Sequence, residues 1–212
     1  MPGQINRGDF FGEKIYKYAS NPDYTTFVEV GTWNGQGSTK CFMDAIFLRP
    51  DESCLYTLEA NSGFYSEASA YWQPFLMSSR SPTQKLHMLY GRIIDTNELL
   101  PISHIQEHKI FNQHPWLEWR ERNVSEYEMC DNVIDKIPEK IDVLLLDGGQ
   151  FSTQSEWEKL KDRTKIILLD DTSTFKTEKI REEILDQRDA WDIVYDDVKM
   201  RNGILIASRK GE

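Results

Sequence analysis

Phe27-Val-Glu-Val-Gly-Thr-Trp-Asn-Gly-Gln-Gly-Ser38 reads as a strand that breaks into glycines and restarts as a helix. Val28 and Val30 fit a buried strand, and Glu29 sits between them. Gly31, Gly35 and Gly37 then open the way into the apolar-periodic run Cys41, Phe42, Ala45 and Ile46. Such a turn brings backbone N–H groups and a helix N-terminus up against a ligand. Without Cβ atoms the ligand approaches closely. This predicts a nucleotide-cradling turn.

Two common patterns for such turns fail here. A dinucleotide fingerprint needs G-x-G-x-x-G directly after the strand, but Trp33 stands in the second glycine's place and Lys40 where a third would follow Gly35 and Gly37. A phosphate loop needs G-x-x-x-x-G-K-[ST]; Ser38-Thr39-Lys40 has those letters in the wrong order. The pattern acidic-x-Gly-x-x-x-Gly, carried by Glu29, Gly31 and Gly35, resembles motif I of the class I S-adenosylmethionine (SAM) methyltransferases. In that family the acid supports the turn and the amino-acid end of the ligand. A glycine-rich turn with no ligand remains the plain alternative.

At 212 residues the chain suits a single α/β domain spanning 1–212 with a substantial core. A net charge of −10 argues against a general nucleic-acid partner. No apolar run approaches the length of a membrane span, and the N-terminus has no secretion-type apolar region, so no membrane association and a cytoplasmic location are expected. Cys41, Cys54 and Cys130 are odd in number and widely spaced, which fits a reduced compartment and no zinc site. Asn123-Val-Ser125 matches a glycosylation sequon, a chance match in a protein that is not secreted.

Along the chain, Phe11, Ile15 and Tyr18 mark a helix over 9–19, ended by Ser20-Asn-Pro-Asp. Strands follow at Cys54–Leu58, closing on Glu59, and at Leu86–Tyr90, closing on Gly91-Arg92. From about 101 to 140 the pattern dissolves into a polar, aromatic and histidine-bearing insertion. Ile141–Leu146 then reads as a buried strand stopping at Asp147-Gly-Gly, with a helix around Ser155–Leu160. Lys165–Leu169 stops at Asp170-Asp171, and Ile180, Ile184 and Leu185 mark a helix over 177–187. Strands at Trp191–Tyr195 and Gly203–Ala207 close the chain as a hairpin. Strand–helix alternation with near-continuous apolar strands predicts a mostly parallel sheet covered on both faces. Its antiparallel finish resembles the seven-stranded, Rossmann-like, doubly wound class I methyltransferase fold.

Doubly wound sheets bind ligands beyond the carboxyl ends of their strands. Glu59, Arg92, Asp147, Asp170 and Asp171 all fall at such ends. A carboxylate at Glu59 is placed to accept hydrogen bonds from both ribose hydroxyls, as class I methyltransferases do; the plain alternative is an exposed strand-end charge. Arg92 would flank the adenine. Asp147, Asp170 and Asp171 would repel one another unless something positive sits between them, and hard oxygen ligands select Mg²⁺, Ca²⁺ or Mn²⁺. Turn and helix capping by Asp147 and Asp171 is the competing explanation. Asp147-Gly-Gly followed by Asp170-Asp171-Thr172 resembles the metal-dependent sugar O-methyltransferases, which carry Asp-Gly-x-His and then a paired Asp-Asp. The similarity covers about 27–60 and 141–175.

This resemblance implies transfer of a methyl group from SAM to a hydroxyl of a sugar or glycan, with Mg or Mn at Asp147, Asp170 and Asp171. It implies SAM contacts at Glu29, Gly31, Thr32, Gly35, Ser38, Glu59, Arg92 and Asp147. Gln150 stands where the family has its histidine base, and Gln takes no proton at neutral pH. Either the metal does most of the activation, or proton removal falls to a metal-side carboxylate, Asp147 first, or to a histidine of the insertion, His104, His108 or His114, with His114 the candidate and Gln150 orienting the acceptor. By position the insertion would cover the acceptor side, where Trp116, Trp119 and Tyr127 with Arg120 and Arg122 suit a sugar or a ring acceptor. The plain alternative is that the aromatics form the insertion's own core. A catechol-type O-methyltransferase and a non-catalytic SAM-binding module are the alternatives.

Overall fold

The computed structural model describes residues 4–78, 85–106, 108 and 115–211. Its elements run α1 (Phe10–Ser20), β1 (Thr26–Val30), α2 (Ser38–Ile46), β2 (Cys54–Glu59), α3 (Ser62–Ser78) and β3 (Leu86–Tyr90). After these come α4 (Ile102–Gln106), α5 (Trp116–Glu128), β4 (Ile141–Leu146), α6 (Thr153–Leu160), β5 (Thr164–Asp170), α7 (Glu178–Asp186), β6 (Trp191–Asp197) and β7 (Ile204–Arg209). Among the described residues no helix is long and apolar enough to cross a membrane.

The strands form one seven-stranded sheet in the order β3-β2-β1-β4-β5-β7-β6. β1 to β5 are mutually parallel where they pair, and β7 runs antiparallel to both β5 and β6. Strand alternation divides the core between the two faces. Val143 and Leu145 pack with Phe11, Phe27, Phe42 and Ile46 on the side of α1 and α2. Leu144 and Leu146 pack with Trp157, Leu160, Ile180 and Ile184 on the side of α6 and α7. Each fully buried side chain of this size contributes about 1.5–3 kcal/mol. β4 is covered on both sides and is apolar except at Asp142, whose carboxylate accepts the Thr25 and Thr26 N–H groups.

The order reverses between β1 and β4, so a crevice opens at their carboxyl ends. There the Asp147 N–H donates to the Val30 carbonyl at 3.0 Å, and the Gly31 and Thr32 N–H groups donate to the Leu58 carbonyl at 3.0 Å each. The predicted strands and the helices at the first turn, α6 and α7 lie where expected. Three helices had no counterpart in the sequence pattern: α3, α4 and α5. In α1 the buried face is Phe11, Gly12, Ile15 and Ala19, with Tyr18 at its margin.

Candidate functional site

The glycine turn is built around close contact with β4. Gly31 has φ +103°, and a Cβ there would stand 2.3 Å from the Asp147 carbonyl oxygen. Only glycine lets the two strand ends meet in this way. Gly35, at φ +72°, serves packing: its carbonyl accepts the Trp72 indole N–H at 2.9 Å, and a Cβ would meet that ring at 2.8 Å. The turn's backbone donors were expected to be bare toward a ligand, and here the structure differs. Gly31, Thr32 and Gly35 donate to carbonyls, Trp33 to Glu59 Oε2 at 2.8 Å, and Gln36 to Asn34 Oδ1 at 3.1 Å. These five donors tie the turn to itself and to β2.

Glu29 lies fully buried beneath it. Thr39 and Thr57 hydroxyls both donate to Glu29 Oε2 at 2.6 Å. Thr57 has spent its proton on Glu29, so the Thr32 hydroxyl that meets it is the donor of that pair. Burial pushes the Glu29 carboxyl upward against the hydroxyls of Ser38, Thr39 and Thr57. Glu29, Thr32, Gly35 and Ser38 therefore shape the turn from behind.

In front of it is a cavity of about 330 Å³ walled by Gly31, Trp33, Glu59, Arg92, Tyr127 and Asp147, among others. Glu59 accepts the Trp33 N–H on one carboxylate oxygen and the Asn61 N–H on the other, each at 2.8 Å. Burial, with Glu126 adding to it, raises its pKa to about 7 against the backbone N–H groups of Asn61, Trp33 and Ala60. Each oxygen keeps a lone pair for a hydroxyl donor. Trp33 is 45% exposed at this wall and meets Phe64 edge-on at 6.0 Å. Arg92 lines the cavity, but its guanidinium is directed to the Tyr127 carbonyl at 2.8 Å and the Ile94 carbonyl at 3.1 Å, with Asp95 beside it. It acts as a strut for the end of α5.

The opposite wall comes from the insertion, of which the sequence singles out Arg122 and Tyr127 for the acceptor side but not Asn123 or Glu126. Arg122, Asn123, Glu126 and Tyr127 of α5 face the same cavity, so the insertion borders it. Asn61 Nδ2 donates to Glu126 Oε1 at 2.7 Å, and the Tyr127 hydroxyl donates to Glu156 Oε1 at 2.9 Å. Trp116 is not at the cavity: it packs edge-on against Trp119 and Phe175, each at 5.0 Å, as the insertion's small core. Asn61, Glu126 and Glu156 carry no motif, and only the folded chain brings them together.

The acidic cluster assembles as expected, with oxygens of Asp147, Asp170 and Asp171 all within 4.8 Å of one another. The positive charge between them is a side chain. Lys176, which the sequence reading passed over, is 3% exposed and donates to Asp147 Oδ1 at 2.6 Å and Asp171 Oδ2 at 3.0 Å. Arg201 grips Asp170 with Nε at 3.1 and 3.2 Å and Nη2 at 2.9 Å. Burial works against the Lys176 charge, yet Asp147, Asp171 and Asp170 hold its ammonium well above the usual lysine range. Asp147 rises to about 7, chiefly through burial and opposed by Lys176. Burial would raise Asp171 too, but Lys176 and Asn202 hold it below the usual carboxylate range. A divalent cation would need Lys176 expelled first, so this donor set as built does not fit the Mg or Mn expected from the resemblance. The available hint was electrostatic: the acids demanded a cation, and Lys176 is the next base along the chain after them.

No protein-family profile and no curated protein matches the sequence. Solved structures do match. A Podospora anserina methyltransferase bound to S-adenosylhomocysteine (SAH) aligns with TM-score 0.59 at 11% identity over 94% of this chain and 77% of its own. A putative caffeoyl-CoA O-methyltransferase from Staphylococcus aureus aligns with TM-score 0.58 at 12% identity, covering 98% and 85%. An O-methyltransferase from Bacillus cereus in complex with SAH aligns with TM-score 0.56 at 15% identity, covering 96% and 80%. The fold is that of the class I methyltransferases.

Within that methyltransferase fold the expected residues divide. Gly31, Glu59, Arg92 and Asp147 line the cavity; Asp170 and Asp171 adjoin Asp147 in the acidic cluster. Gln150 follows the Gly148-Gly149 turn and is not part of the cavity wall; its Oε1 is buried without a hydrogen-bond partner. No described histidine lines the cavity. His104 Nδ1 lies 3.4 Å from Lys179 Nζ, and His108 Nε2 pairs with Glu178 at 2.9 Å. His114 lies outside the described residues.

Proposed function

We propose that this chain, as one domain over 1–212, binds SAM and transfers its methyl group to a hydroxyl of a small ring-bearing acceptor, a sugar first. One observation carries the proposal: Glu59 stands in the cavity at the end of β2, beside Gly31 and Asp147, with an oxygen lone pair to spare on each side. That suits a ribose diol next to a turn into which nothing bulkier than glycine fits. The SAH-bound proteins of the same fold support the choice of cofactor.

In the reaction the acceptor oxygen attacks the methyl carbon and the carbon–sulfur bond breaks. Sulfur keeps the electron pair, giving SAH, and the hydroxyl proton leaves to a base. Placement of that oxygen in line, roughly 3 Å from the methyl carbon, supplies most of the catalysis. Asp147 is the first candidate for the base because it reaches both the cavity and the acidic cluster. The exposed faces of Trp33 and Phe64, with Asn61 and Asn123 between polar walls, suit a ring that also carries hydroxyls. The name of the Staphylococcus aureus neighbour favours a phenolic ring as the second reading. The net charge of −10 disfavours nucleic acid.

Turnover of methyl-labelled SAM against a panel of sugars and catechols tests this. Label on a sugar hydroxyl is the expected result, and label on catechols alone selects the second reading. SAM binding without transfer to any acceptor would leave a non-catalytic binding module.

A further inference from the structure

Taking the methyltransferase proposal as its basis, we propose that the Lys176 ammonium permanently fills the place of a catalytic divalent cation. The chain then works without metal and does not require a vicinal diol in its acceptor. Asp147, Asp170 and Asp171 present oxygens within 4.8 Å of one another, a set that alone would attract a divalent ion. Lys176 Nζ already bridges two of them, at 2.6 and 3.0 Å, from a side chain 3% exposed. Arg201 satisfies the third from the β6–β7 turn. Against these acids, the two bases leave a single net negative charge, too little to repay stripping water from a divalent ion.

The lysine is also fixed by its backbone. The loop after β5 is tied down by Thr174 Oγ1 on the Asp171 carbonyl at 2.9 Å and Thr177 Oγ1 on the Asp170 carbonyl at 2.7 Å. The Lys176 N–H itself donates to Thr174 Oγ1 at 3.3 Å. Swinging Lys176 away would break two buried ion pairs and leave carboxylates uncompensated, which is strongly unfavourable. The chemical consequence concerns the acceptor. A metal ion chelates two neighbouring oxygens, whereas an ammonium has three donors and here spends two on Asp147 and Asp171. At most one donor remains, too few to chelate two neighbouring hydroxyls as a metal would.

The test is a titration of SAH-loaded protein with Mn²⁺, following free Mn²⁺ by electron paramagnetic resonance. Wild type should leave Mn²⁺ free up to millimolar concentration. Lys176→Met removes the resident charge and should bind Mn²⁺ at least about tenfold more tightly than wild type. Micromolar uptake of one Mn²⁺ by wild type would overturn the proposal, as would a folded Lys176→Met variant that binds no more tightly than wild type. If that variant does not fold, the wild-type titration decides alone. SAH calorimetry on the same samples keeps the two ideas apart: loss of SAH binding removes the methyltransferase reading, and Mn²⁺ uptake with SAH bound removes the lysine alone.

Discussion

In the proposed SAM site, the burial of Glu59 and the ribose contact asked of it pull its chemistry in opposite directions. Burial raises its carboxyl from 4.5 to about 7, so in the empty protein the neutral form is favoured over much of the acidic range. Because the folded pKa lies above the unfolded one, the stabilisation from neutral Glu59 is complete below about 4.5 and is lost as pH rises through about 7. A ribose diol needs the ionised form, which accepts on both oxygens. SAH affinity should therefore climb as pH rises through about 7 and then level off, with proton release on binding. Calorimetry in buffers of different ionisation enthalpy measures this, and Glu59→Gln should flatten the profile. A wild-type affinity indifferent to pH would contradict the role. Gly31 offers a second residue-scale check. At φ +103° and with the Asp147 carbonyl 2.3 Å from the added Cβ, Gly31→Ala should cost at least about 2 kcal/mol in urea unfolding. Both residues were legible in the sequence because their signals are local: a glycine between strand and helix, an acid at a strand end. Lys176 was not, because nothing in Thr-Phe-Lys-Thr announces burial against acids from two strands. The buried amide oxygen of Gln150 has no hydrogen-bond partner, and nothing in the structure explains the residue there.

At the scale of elements, periodicity revealed the strands better than the helices. β4 is apolar but for Asp142 because both its faces are covered, and it sits between β1 and β5. Leu145→Ala should cost about 2–5 kcal/mol by denaturant midpoint, since a buried methyl cluster is lost and a cavity remains. Leu117→Ala on α5, at a residue 44% exposed, should stay within about 0.5 kcal/mol. Comparable losses for the two would mean that the layers are wrongly drawn. α5 hid from the sequence because its fully buried positions are Trp116 and Tyr127 alone, at opposite ends, so no apolar stripe repeats along it. α3 hid for another reason: its aromatics surround the helix and Pro74 lies inside it, both of which blur a 3.6-residue period.

For the whole molecule, the strand order converts scattered strand ends into one site. With β1 beside β4, and β2 and β5 as their outer neighbours, Gly31, Glu59, Asp147 and Asp170 converge although far apart in sequence. Alternation of strand and helix made this arrangement readable. The terminal hairpin was readable too, but its consequence was not: β7 inserts beside β5 and brings the β6–β7 turn, with Arg201, onto Asp170. A contact of that kind exists only once the strand order is known. In the proposed function the cavity is a SAM site organised by Glu59. Calorimetric titration of SAH into wild type and Glu59→Ala tests it most directly. Wild type should bind one SAH. The variant loses two charge-assisted hydrogen bonds of about 1.5–3 kcal/mol each, so its affinity should fall at least about a hundredfold. Equal affinity in the two proteins, or no binding of SAH to wild type, would contradict it.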